Sequence, residues 1–134
     1  VGTLAESLAN LLEAHAGQPL GSIAFPKLPQ RTAVPFVERI AMTALQAGGL
    51  DLAEGDRVRI VLQTYGQGPA AEHHRFFGAG AHACLGRPLS VELWGAIAAR
   101  LATLSTRVEV CRYELPLDSY VFNVPSIFEL EVCR

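Results

Sequence analysis

Residues 76–87 read FFGAGAHACLGR, which places three glycines, one histidine and one cysteine directly ahead of a stretch with helical periodicity. Glycine serves where a chain must take φ > 0 or approach another group closely. Three chemistries fit parts of the segment. Gly78-x-Gly80-x-x-Ala83 matches the glycine spacing of a dinucleotide-binding turn. That motif needs a strand immediately before it and an acidic residue about 20 positions on. Here PAAEHHRF precedes it, and residues 98–108 contain no Asp or Glu. His73, His74, His82 and Cys84 are residue types that bind zinc, but the usual paired spacings are missing. A thiol activated by a helix N-terminus is physically sound. It leaves the aromatic residue and the glycine register unexplained. The plain alternative to all three is a glycine-rich turn with a buried cysteine.

The chain around this segment has 134 residues and net charge −2, and half of its residues are hydrophobic. Such a length fits one domain with a modest core, and such a composition argues against disorder. Dispersed charge provides no footprint for nucleic acid or an anionic membrane. No apolar run approaches the ~18 residues of a membrane span, and the first residues carry no positively charged leader. The three cysteines are odd in number and far apart, which points to a reducing compartment, with the cytoplasm as the default.

The pattern predicts an α+β fold. Thr3 and Glu6 have capping-box spacing, and Leu4, Leu8, Leu11 and Leu12 recur with helical period until Gly17. Residues 1–18 are thus an amphipathic helix. Residues 19–35, with four prolines, are a loop or linker, and 36–134 form the main region. Phe36 to Leu45 is ambiguous between strand and helix, and Gly48-Gly49 marks a turn. Gly55-Asp56 reads as the turn of a hairpin whose second arm buries Val58, Ile60 and Leu62. The strongest helix follows Cys84, with Leu89, Leu93, Ile97, Leu101 and Leu104 as its apolar face. RVEVCRYEL is a strand with Val108, Val110 and Tyr113 inward, and SYVFNVPSIFELEV reads as two short strands.

Phe77-x-x-Gly80-x-His82-x-Cys84-x-Gly86, with Gly78, resembles the heme-binding signature of the cytochrome P450 family. The resemblance implies heme b, with the Cys84 thiolate as the ligand to its iron. The glycines give clearance for a flat macrocycle, and backbone N–H groups hold the sulfur as thiolate. Phe77 is expected to shield the sulfur, and His82 to bond a propionate. RIAMTALQAGGLDLAEGDRV is similar to a second family segment, in which Arg39 matches a propionate-binding arginine. Its plain alternative is an ion pair with Glu38 or Asp56. YVFNVPSIFELEV resembles the closing hairpin, so the likeness runs from Pro35 to Cys133 and corresponds to the C-terminal part of a family member.

Departures accompany the likeness. KLPQRTAV stands where the family has a Glu-x-x-Arg pair on a helix, the stretch from Gln63 to Phe77 is short, and Glu92 falls one residue early. The oxygen-activating distal helix has no counterpart. The resemblance therefore implies a heme-thiolate protein working within an oxidoreductase or monooxygenase assembly. A homo-oligomer, such as a dimer, or a partner protein is expected to cover the distal heme face, with a redox partner as electron source. The alternatives are a non-catalytic interaction or regulatory module that has lost heme, and a heme or redox sensor.

Overall fold

The computed structural model describes residues 1–63, 75–117 and 122–133. Among these lie two helices and six strands, the strands forming three separate two-stranded antiparallel sheets. The fold class is α+β, as the pattern predicts.

Helix α1 spans Gly2–Ala14. Its start differs from the predicted capping box, because Val1 is the N-cap and no side chain caps the helix. Both box residues are taken up by tertiary contacts instead. Thr3 Oγ1 accepts the N–H of Ala33 at 3.3 Å, and the Glu6 carboxylate accepts the Tyr113 hydroxyl at 2.5 Å. A long-range partner satisfies each polar group as well as a cap would. Leu12 is 2% exposed and clusters with Leu20 and Ile23, with Leu8 and Leu11 packed alongside. Two of these three core residues come from the proline-rich stretch. That stretch is also bonded to the chain near residue 105, since Leu20 N–H donates to Thr106 O at 2.9 Å and Gly21 N–H to Leu104 O at 2.7 Å.

Strand β1 (Phe36–Ile40) resolves the ambiguous segment. A short hairpin of β2 (Leu45–Ala47) and β3 (Leu50–Leu52) follows, turning at Gly48-Gly49. Then comes β4 (Arg57–Val61), and its partner differs from the predicted one. The Gly55-Asp56 turn connects β3 to β4, but β4 pairs with β1, in register Val37↔Ile60 and Arg39↔Val58. Short-range turn chemistry marks the bend without identifying which strand lies across it. Strand alternation then sorts the sheet faces. Val37, Arg39, Val58 and Ile60 share one face, while Glu38 and Arg59 pair on the other at 2.7 Å. Of the three residues expected to be buried, only Leu62 is, at 8% exposure; Ile60 is 37% exposed.

Helix α2 (Arg87–Leu101) follows the cysteine loop. Its buried face is rotated from the predicted one. Trp94, 1% exposed, is the anchor, with Ile97 and Leu101 half-buried. Leu89 and Leu93 face outward, at 62% and 45% exposure. A tryptophan has a larger payload than a leucine and an N–H to satisfy. Nε1–H donates to the Pro26 carbonyl at 2.7 Å, and the Phe25 ring lies 6.5 Å away, so the indole fixes the rotation. Strands β5 (Arg107–Glu114) and β6 (Ile127–Cys133) close the chain as an antiparallel pair. Where two strands were expected at its end, residues 122–126 carry no regular structure and β6 is a single strand; 118–121 lie outside the described residues.

Candidate functional site

A short ladder of backbone bonds shapes the loop around Cys84. Arg75–Phe77 and Gly80–His82 each form a 3₁₀ turn. Gly78 N–H donates to Arg75 O at 2.9 Å, and Cys84 N–H donates to Phe77 O at 2.7 Å. The second bond folds the loop back so that the cysteine backbone sits against Phe77. Gly78 has φ +72°, and a Cβ there would run into the carbonyl oxygen of His82. Position 78 therefore requires glycine on two independent grounds. Gly86 is the N-cap of α2, and Arg87 N–H donates back to Cys84 O at 3.1 Å. The thiol thus stands just ahead of the positive end of a helix dipole.

The loop and the β1–β4 pair together bound an open cleft of ≈ 370 Å³. Val37, Arg39, Ile60 and Leu62 line it from the sheet, and Phe77, Gly78, His82 and Cys84 from the loop. A second cleft of ≈ 300 Å³ adjoins it, with Val34, Phe76, Phe77 and Cys84 common to both. Phe76 and Phe77 are buried with Leu62 and hold the wall behind the thiol, their rings 4.5 Å apart. Five of the seven residues singled out in the sequence therefore meet at one cleft: Arg39, Phe77, Gly78, His82 and Cys84. Gly80 and Gly86 shape the loop without lining it.

Arg39 reaches the cleft by strand parity, and among the described residues its charge is not spent on a carboxylate. Its Nη1 donates to the Glu38 carbonyl at 2.7 Å. The hydrogen bond and charge of Arg59 hold the Glu38 carboxyl below the usual carboxylate range. Asp56 Oδ2 accepts Ala53 N–H at 2.8 Å. Neither acid expected as an alternative partner pairs with Arg39 among the described residues.

Sequence reasoning missed Val34, Val37 and Arg75 as cleft residues. Val37 was within reach, because period-two alternation places it beside Arg39. Arg75 is hidden by its place in a polar run. The dinucleotide reading lacks its strand, since a 3₁₀ turn precedes Gly78. For the zinc reading, His73 and His74 lie outside the described residues, and among those described no three His, Cys, Asp or Glu side chains are grouped to hold a metal ion. Cys84, Cys111 and Cys133 are free thiols. No described helix is long and apolar enough to cross a membrane.

No family model and no curated protein matches the chain. Solved structures do. The versatile cytochrome P450 enzyme CYP109B1 from Bacillus subtilis is 19% identical with a TM-score of 0.68, over 97% of this chain and 41% of that one. A thermophilic cytochrome P450 from Sulfolobus tokodaii is 21% identical with a TM-score of 0.62, over 99% and 41%. An intact type IV self-sufficient cytochrome P450 monooxygenase is 17% identical with a TM-score of 0.69, over 98% and 20%. This chain thus spans well under half the length of the structures that it resembles. Its fold is that of a cytochrome P450-like fragment.

Proposed function

We propose that the chain binds heme b in the cleft beside Cys84, with the thiolate as the ligand to iron. The observation that carries this reading is the meeting of a thiol, three basic side chains and apolar walls in one open cleft. The residues fit the group chemically. Val37, Ile60 and Leu62 offer an apolar surface to a porphyrin, and Arg39 and His82 supply donors for its two propionates. Phe77 shields the sulfur side, and Gly78 and Gly80 keep the loop backbone close and flat. Gly86 and the first turn of α2 follow closely after Cys84, so the helix fixes the loop behind the sulfur.

Heme with a thiolate ligand supplies one-electron and dioxygen chemistry when bound. What the chain itself contributes is the proximal side: it binds the group and orients it through Arg39 and His82, with Phe77 packed behind the cysteine loop. Gly78, by holding the loop, fixes where the sulfur points. A porphyrin with one face uncovered leaves an apolar surface in water, which monomers rarely tolerate. A second polypeptide, a copy or a partner, therefore closes the distal face, and oxidoreductase or monooxygenase turnover belongs to that assembly together with an electron donor.

Hemin titration of the purified chain tests the binding. The expected result is saturable binding at one heme per chain with a Soret band, weakened in Cys84→Ser by at least tenfold. Equal titration curves for the wild type and Cys84→Ser would refute thiolate ligation. A flat visible spectrum after addition of hemin would refute heme binding altogether and leave the interaction-module reading.

A further inference from the structure

We infer that the outward face of α2 is a self-association surface, on which a second copy of this chain packs antiparallel about a two-fold axis near Ala96. The first observation is exposure. Leu85, Leu89 and Leu93 are large apolar side chains at 99%, 62% and 45% exposure, and none of them has a place in either buried cluster.

The second observation is the arrangement of the exposed face. Leu89 and Leu93, at 62% and 45% exposure, form one row at i, i+4 spacing, which Leu85 extends into the preceding turn at 99%. The adjacent i, i+4 row is Glu92, Ala96 and Arg100, all exposed. Rows of this kind interdigitate between two helices crossing at about −50°. At the centre stands Ala96, whose small side chain lets the backbones approach closely.

The third observation, charge, selects the occupant. Glu92 and Arg100 stand at equal distances from Ala96, one turn to each side. An antiparallel copy therefore sets Glu92 against Arg100 of the other chain, twice, with Leu93 beside the axis and Leu89 at the rim of the contact. A two-fold interface must be self-complementary in this way. Neither side chain is in an ion pair among the described residues.

Sedimentation velocity of the 134-residue chain, from 1 to about 200 µM, tests the inference. The expected result is a reversible dimer. Glu92→Arg and Arg100→Glu should each raise its dissociation constant at least tenfold, because each turns both cross-pairs repulsive. An equimolar mixture of the two variants should dimerise again, as should the double variant E92R/R100E, to within about threefold of the wild type. Both positions are exposed, and unchanged circular dichroism checks that the variants fold. A chain that stays monomeric throughout the range overturns the inference and gives the face to a different polypeptide. A dimer indifferent to the single reversals, or one that the mixture does not restore, overturns it too.

Discussion

At the scale of single residues, the cleft depends on a few positions with little tolerance. Gly78→Ala meets both a positive φ and the His82 carbonyl. It should cost about 2–3 kcal/mol of stability by chemical denaturation, and hemin affinity should fall in parallel. Arg39→Leu and His82→Leu remove only one basic donor each. Each should weaken hemin binding by roughly tenfold, in line with a charge-assisted bond, with the spectrum of bound heme unchanged in shape. A spectral change in either variant would show that the residue acts on the ligand and not on the propionates. These positions were legible because their residue types are uncommon in combination: a cysteine, a histidine and three glycines in twelve residues leave few chemistries open. Arg75 was not, because an arginine within a polar run is unremarkable until the fold places it at a cleft.

At the scale of elements, contacts between distant segments decided what local patterns left open. β5 shows this well. Val108 and Val110 share a parity that Tyr113 breaks, yet all three are half-buried. A bulge between Val110 and Arg112 inserts Cys111 and restores the phase. Tyr113 then reaches Glu6 on α1, edge-on to Phe128 with ring centroids 5.5 Å apart. Burial first, and then the hydrogen bond to Glu6, raises the Tyr113 pKa above its ordinary 10.0. A raised pKa on an acid favours the protonated form in the folded state. Its stabilisation is therefore complete below pH 10 and is lost as pH rises through the folded value. Tyr113→Phe should cost about 1–2 kcal/mol at pH 7 and should flatten this alkaline loss, measured as denaturation midpoints from pH 8 to 12. The rotation of α2 has the same origin. Five leucine and isoleucine positions propose one face, but one tryptophan with a carbonyl partner 68 residues away imposes another. Trp94→Ala should cost about 3–5 kcal/mol, read by urea unfolding. Leu89→Ala, on the exposed side, should cost far less.

At the scale of the whole molecule, the fold matches part of larger cytochrome P450 structures. Leu85, Met42 and Leu117 are each at least 80% exposed. The internal core is nonetheless shared by distant parts of the chain. Leu12 of α1, Leu20 and Ile23 form one cluster, with Leu101 and Leu104 against it. A chain lacking residues 1–18 should therefore lose its cooperative unfolding transition by circular dichroism; an unchanged transition would mean that α1 is an appendage. Overall architecture was legible only through resemblance, because three two-stranded sheets have no composition of their own and β1 meets β4 across an inserted hairpin.

The central claim is that Cys84 is the thiolate ligand of a bound heme. Its most direct test is the absorption spectrum of the hemin-loaded, 134-residue chain after reduction under carbon monoxide, compared with that of Cys84→Ser. The wild type should show the red-shifted Soret band of thiolate-ligated ferrous heme, and Cys84→Ser should show only the shorter-wavelength band of other ligands. A red-shifted band that survives in Cys84→Ser, or its absence from the loaded wild type, contradicts the claim.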